Sequence, residues 1–230
     1  MKKNTFELNI GAKPIIISTT NWTEQSSGSC LVQCGDTVVM VNATVSPFER
    51  EGQDFFHLTV EYEEKFYAAG KIYGSRFVRR EARPSDEAIL TARMIDRAIR
   101  PLFPKDFKKE VQVIVTCLSW DGENDPDILG MIGASFALSI SNIPWNGPLG
   151  AIRVTKNNGE WIFNSNYAQR KECDMDLTLS AIERDGDVLV NMIEMGAKEV
   201  SEEDVMKAYE ASKKELKKVI EFQISATKKI

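Results

Sequence analysis

The sequence predicts an α+β sandwich with a mixed sheet, and three observations lead there. About sixty N-terminal residues alternate apolar and polar side chains, as strands with one buried face do. Two helical segments interrupt the strands, one amphipathic and one apolar all round. The order is strands, helix, strand, helix, strands, helix, with no internal repeat and no low-complexity tract.

The elements follow in chain order. Phe6 to Ile10 alternates, and Ile15 to Ser18 is a largely β-branched run. Leu31 to Cys34 and Thr37 to Val45 flank Gly35-Asp36, a two-residue hairpin signal in which glycine supplies a positive φ. Phe56 to Tyr62 is a further alternating strand, and a glycine-punctuated loop runs from Ala68 to Arg83. Ser85 is placed to cap a helix with Asp86 and Glu87 in its first turn, and Pro101 closes it. On that helix Met94, Ile95, Ala98 and Ile99 share one side. Arg93, Arg97 and Arg100 lie opposite, within about sixty degrees of one another at one hundred degrees per residue. Val111 to Leu118 is a continuous apolar strand. Asp125 then caps a helix over Ile128 to Ile140 that is apolar or small on every side, which places it at the centre of the fold. Leu149 to Val154, Trp161 to Phe163, Asp176 to Ala181 and Val188 to Ile193 read as strands. Ser201-Glu202-Glu203-Asp204 opens a last helix reaching about Phe222, with acids and bases in similar numbers, which suits a solvated linker.

Composition narrows the function classes. With 230 residues and 43 % apolar content the chain can fill a core. No apolar stretch suits a signal peptide or membrane span, so no membrane partner is expected. Cys30, Cys34, Cys117 and Cys173 lack metal-ligand spacing and read as reduced core thiols, fitting a cytoplasmic setting. His57 is the only histidine, so a histidine-rich zinc site is excluded, and its place between Phe56 and Leu58 reads as a strand position. Charge is unevenly spread: Lys65 to Lys109 holds twelve Lys/Arg against five Asp/Glu, while the whole chain is −5. A basic segment inside an acidic protein suits a polyanion site, and it suits a solvated surface equally.

The densest chemistry lies between Gly70 and Pro84. Glycines free the backbone there, arginines can fork onto phosphates, and Phe77 offers a flat face to a base, a combination that grips single strands without reading sequence. The competing reading is an exposed basic loop that Phe77 anchors in the core. The arginines of the first helix have a competing reading too, since Asp96 and Arg100 are spaced for a surface ion pair worth tenths of a kcal/mol.

Several ordered blocks resemble the polynucleotide phosphorylase family. They are Gly-Gln-Asp-Phe-Phe-x-Leu-Thr-Val (Gly52 to Val60), Tyr67 to Ile72, Phe77-Val78-Arg79-Arg80-Glu81-Ala82-Arg83-Pro84-Ser85, Ala92 to Pro104, Met131 to Ser135, and Ile143-Pro144-Trp145-Asn146-Gly147-Pro148. The resemblance runs from the N-terminus to about Ala181. It implies an RNase PH-like fold, with a first RNase PH-type domain over residues 1–195 and a helical linker segment over 196–230. It also implies phosphate-dependent shortening of RNA from its 3′ end in mRNA degradation, single-stranded RNA as partner, and a homotrimeric ring. By that resemblance Phe77, Val78, Arg79 and Arg80 match the loop that grips RNA, with Arg83 beside them and Arg93, Arg97 and Arg100 as phosphate-contacting or subunit-packing candidates. Val78 departs from the family's second aromatic and removes one stacking surface.

The resemblance also implies that this copy is not the catalytic one. Active copies hold phosphate at a hydroxyl-rich mouth of the central helix. Here that mouth reads Asn124-Asp125-Pro126-Asp127, where Pro126 lacks an N–H and two carboxylates repel an anion, although helix capping by Asp125 explains the same residues. Active copies also carry Asp, five residues, Asp, one residue, Lys for Mg²⁺. Aligned on Asp174-Met175-Asp176, the first acid falls at Arg170 and the lysine at Thr178, leaving Asp176 as a vestigial metal candidate. Mg²⁺ and inorganic phosphate are thus expected in the full-length family enzyme and neither on this chain. An alternative is a stand-alone RNA-gripping and assembly subunit that partners a separately encoded active RNase PH-type chain.

Overall fold

The structure, a computed structural model, describes residues 4–11, 13–19, 21–49, 52, 55–72, 74, 83–157 and 159–230. Ten strands and four helices form among them. The first four strands, β1 (Thr5–Ile10), β2 (Lys13–Thr19), β3 (Gly28–Cys34) and β4 (Thr37–Glu49), pair antiparallel in sequence order. Cys34 stands opposite Thr37, and Gly35 takes φ 60°, so the two-residue hairpin forms as its residues require. β6 (Lys109–Ser119) joins β4 antiparallel and takes β5 (Leu58–Glu63) in parallel on its other side, giving a six-stranded mixed sheet. The strand expected from Phe56 begins at Leu58, and His57 lies just before it, half-buried, with Nε2 3.5 Å from Glu110.

A second sheet is antiparallel and runs β10 (Asp187–Ala197), β9 (Met175–Arg184), β7 (Leu149–Asn157), β8 (Glu160–Phe163). Between the sheets lies α2 (Pro126–Ser139), buried at every position from Pro126 to Leu138. It packs on β3 and β4 of one sheet and on β7 of the other, which is why its sequence shows no polar side. Gly133 permits the approach: a Cβ there would come within 2.5 Å of Val41 Cγ2 and 3.0 Å of Val32 Cγ2.

α1 (Asp86–Ile99) starts as its cap predicts, with Ser85 Oγ accepting a hydrogen bond from the Ala88 N–H at 3.0 Å. It buries Ala88, Met94, Ile95, Ala98 and Ile99 and ends in a tight turn at Pro101. Arg93, Arg97 and Arg100 remain on its exposed side.

α4 (Glu202–Thr227) corrects the expectation of a solvated helix. Ala208, Ser212, Leu216, Val219, Ile220, Gln223 and Ala226 form one buried stripe along it. Successive residues of β7 point to opposite faces: Gly150 abuts α4, where an added Cβ would meet the Leu216 carbonyl at 2.8 Å, while Arg153 reaches the mouth of α2. Both faces of β7 are therefore covered, and seven consecutive residues of it are buried. At the far end Gln223 donates to the Leu149 carbonyl at 2.7 Å, and Ser135 donates to Gln223 at 2.7 Å, tying α4, β7 and α2 together.

Candidate functional site

Where the outer face of α1 meets the second sheet, a cleft of about 390 Å³ opens onto the mouth of α2. Its floor follows from strand register. Arg153 on β7 stands opposite Thr178 on β9, which stands opposite Glu194 on β10, so the three side chains share one face. The next row holds Asp176 opposite Gly196. Arg97 reaches from α1 to pair with Glu194 and also donates to Met192 Sδ at 3.7 Å. Arg93 lines the cleft from the same helix and has no ion-pair partner among the described residues. Arg100 does not line it. Its guanidinium is held by Asp96 at 2.6 and 2.8 Å and by the Leu58 carbonyl at 3.1 Å, the surface pair that the spacing allows. Arg83 is exposed before α1. Phe77, Val78, Arg79 and Arg80 lie outside the described residues.

The mouth of α2 is closed by its own side chains. Asp125 caps the helix, accepting from the Asp127 N–H at 3.2 Å, and Pro126 follows in the first turn. Both carboxylates are then claimed by arginine. Arg153 Nη2 pairs with Asp127 and lies 3.4 Å from Asp125, while Arg153 Nη1 meets the two Asp176 oxygens at 2.9 and 3.3 Å. Arg170 bridges Asp125 and Asp176, with Nη1 on Asp125 and Nε 2.8 Å from Asp176. Two guanidiniums thus face three carboxylates, an excess of one negative charge when all are ionised.

Burial and the neighbouring Asp125 push the Asp127 carboxyl well above the ordinary carboxylate range, against the pull of Arg153. Burial opposes the charge of Arg153, but Asp127, Asp125 and Asp176 outweigh it and its pKa ends above the usual arginine value. Helix N-termini attract anions. Here Pro126 gives no N–H, and the anions present are already paired. A phosphate entering this mouth would meet carboxylates whose counter-cations are spent.

The sequence pointed to Asp125, Asp127, Asp176, Arg170 and Thr178, and the structure brings all five to one place. It did not point to Arg153. The signal was there: Arg153 is the one charge inside the apolar run Leu149 to Val154, and a buried arginine needs acids. The helix carrying Arg170, α3 (Tyr167–Lys171), was also missed. It is five residues long and is announced by the capping box of Asn166 and Gln169, each side chain bonding the other's backbone N–H at 2.9 Å.

The arrangement does not fit a magnesium ion. Both Asp176 oxygens accept from guanidiniums, and Arg170 and Thr178 replace the acid and lysine that a carboxylate-held ion of this pattern requires. Among the described residues no group of three or more His, Cys, Asp or Glu is arranged to hold a metal, and no helix is long and apolar enough to cross a membrane.

Comparisons with known proteins bear on the family and the fold. The family described as "3' exoribonuclease family, domain 1" matches residues 11–144, and "3' exoribonuclease family, domain 2" matches residues 147–215, which reaches well into α4. The chain is 46 % identical over 217 residues to a polyribonucleotide nucleotidyltransferase of Finegoldia magna, covering 94 % of this chain and 30 % of that one. It is 47 % identical to that of Pelotomaculum thermopropionicum, covering 95 % and 29 %, and 46 % identical to that of Thermus thermophilus, covering 95 % and 30 %. It therefore spans about 30 % of the length of these relatives, and the match falls in their N-terminal part. Among solved structures, rice (Oryza sativa) Rrp46 shares the fold at TM-score 0.72 and 16 % identity, covering 92 % of this chain and 94 % of that one.

Proposed function

The chain belongs to the 3′ exoribonuclease family, and from that premise we propose that it is the RNA-binding, non-catalytic RNase PH-type part of a phosphate-dependent 3′-to-5′ polyribonucleotide nucleotidyltransferase that degrades mRNA. One observation carries the reading. The helix mouth where an active copy would take phosphate is filled by Asp125 and Asp127, with Arg153 and Arg170 locked onto them. The neighbouring position where such a copy would hold a metal is filled by Asp176 under the same two guanidiniums. An anion hole without a free N–H or free cation supports no phosphorolysis, so the catalytic work falls to a second copy of the fold.

What this part supplies is grip. Arg93 stands uncommitted on the cleft wall, Arg83 is exposed before α1, and the segment holding Phe77, Val78, Arg79 and Arg80 joins the same helix from its N-terminal side. Guanidiniums contact phosphates irrespective of base, and Phe77 stacks on whichever base passes. In the whole protein the reading includes single-stranded RNA as substrate, Mg²⁺ and inorganic phosphate at the active copy, a homotrimeric ring and a cytoplasmic setting.

Incubating the isolated chain with oligoribonucleotide, phosphate and Mg²⁺ tests the inactive-copy part directly. The expected outcome is RNA retained on the protein and no nucleoside diphosphate released. Diphosphate release that Arg153→Met abolishes would place chemistry in this cleft and overturn the reading.

A further inference from the structure

Arginine carries five N–H donors, and on Arg153 Nη1 donates to Asp176 and Nη2 to Asp127, with Asp125 3.4 Å from Nη2. The Nε donor is buried and has no partner among the described residues, in a residue only 5 % exposed. The hydroxyl of Ser165, 3 % exposed, is likewise buried without a partner. The residues that carry these two orphaned groups are neighbours in space. Asn164, which precedes Ser165, accepts from the Arg153 N–H at 3.2 Å and donates to the Arg153 carbonyl at 2.8 Å. Both residues line one small cavity of about 30 Å³, walled elsewhere by Ile15, Cys34, Asn124, Asp125 and the start of α2. Arg153 therefore borders two spaces, the large cleft and this smaller cavity.

We propose that the cavity is a binding site for a single structural water molecule that completes the hydrogen bonding of Arg153. Volume and chemistry select water over other occupants. A water needs roughly 10–15 Å³ of such space and two to four polar partners, and the cavity provides both. An anion is disfavoured because the Asp125 carboxylate is part of the wall and the adjoining cluster is already one negative charge in excess. A metal cation is disfavoured because positively charged Arg153 is part of the wall. The water accepts from Arg153 Nε–H and exchanges a hydrogen bond with Ser165 Oγ. Asn124, Asp125 and Asn164 line the same cavity and carry acceptor oxygens for the water's remaining hydrogen. Fixed in this way from behind, the guanidinium keeps its two Nη groups on the three acids.

The test uses the full chain, crystallised from a bromide-containing solution and diffracting well enough to show ordered solvent. The expected result is one peak within hydrogen-bond distance of both Arg153 Nε and Ser165 Oγ, without anomalous signal. An empty cavity, a bromide peak, or a Ser165 hydroxyl turned to a protein acceptor would each overturn the proposal. In solution, oxygen-17 relaxation dispersion counts long-lived internal waters. Ser165→Val, which fills the space, is expected to lower that count by one, and Ser165→Ala, which leaves the space but removes a partner, to shorten the residence time. If both variants fold and neither departs from the parent, the water is not there; if Ser165→Val fails to fold, the parent crystal and Ser165→Ala decide.

Discussion

Asp127 is where the burial of charge in this cleft is felt most. It is the innermost of three carboxylates sharing two guanidiniums, and its pKa is raised by burial and by Asp125. An acid with a higher pKa folded than unfolded binds protons more readily in the native state. Stability must then fall as pH rises from about 4, the ordinary carboxylate range, through the elevated pKa of Asp127, and level off above it. Asp127→Asn keeps an oxygen for Arg153 and removes the titration, so urea midpoints measured across this window should lose their decline. A decline of unchanged size in the variant would assign it to another group. Arg153→Met is expected to do more damage, since three carboxylates would be left with one guanidinium. A loss of roughly 3–5 kcal/mol in urea unfolding is the scale for breaking a buried pair. The acids of this site were legible in the chain because a helix mouth and a strand are local patterns. Their partners were not, because Arg153 lies twenty-six residues from Asp127 along the chain and forty-five separate Asp125 from Arg170. An isolated charge in an apolar run says that a partner exists without saying where.

Elements differ in how much of their environment they write into their own residues. β1 to β4 and α1 each carry a pattern that one contact surface explains, α2 is apolar all round because it is covered all round, and each forms within a few residues of its expected bounds. α4 is the exception in burial, though not in position. Its buried stripe is built largely of small or polar side chains, Ala208, Ser212, Gln223 and Ala226, among abundant Lys and Glu. Leu216 and Ile220 pack over Gly150, while Gln223 is needed for the backbone of Leu149, so the core-facing side of this helix looks only partly apolar. Leu216→Ala should therefore cost about 2–5 kcal/mol, the range for a fully buried leucine. Lys213→Ala, on the solvent side with an exposed pair to Glu210 at 2.7 Å, should stay within about 0.5 kcal/mol. Chemical denaturation of the two variants distinguishes a core helix from a tether, for which both substitutions would be equally mild. α3 escaped notice for a simpler reason: five residues show no period, and only the cap marks them.

Taken whole, the molecule sets an α1 face bearing Arg93 and Arg97 beside a cleft whose deepest charges are spent on each other. RNA binding, on this reading, depends on the outer arginines. Replacing Arg79 and Arg80 together by alanine should weaken oligoribonucleotide affinity at every sequence and lower the slope of log affinity against log salt by about 1.4, two contacts at roughly 0.7 each for single strands. Fluorescence anisotropy over a salt series measures both quantities, and an unchanged slope would remove that loop from the RNA path. The Asp125–Arg153–Asp176–Arg170 cluster also bears on descent. It joins β7, the start of α2, α3 and β9, and no member can be exchanged for what a phosphorolytic centre needs without leaving a partly buried charge unpaired. On the reading proposed above, each single substitution toward a phosphorolytic centre would cost stability, and selection for foldedness alone would keep the cluster in place.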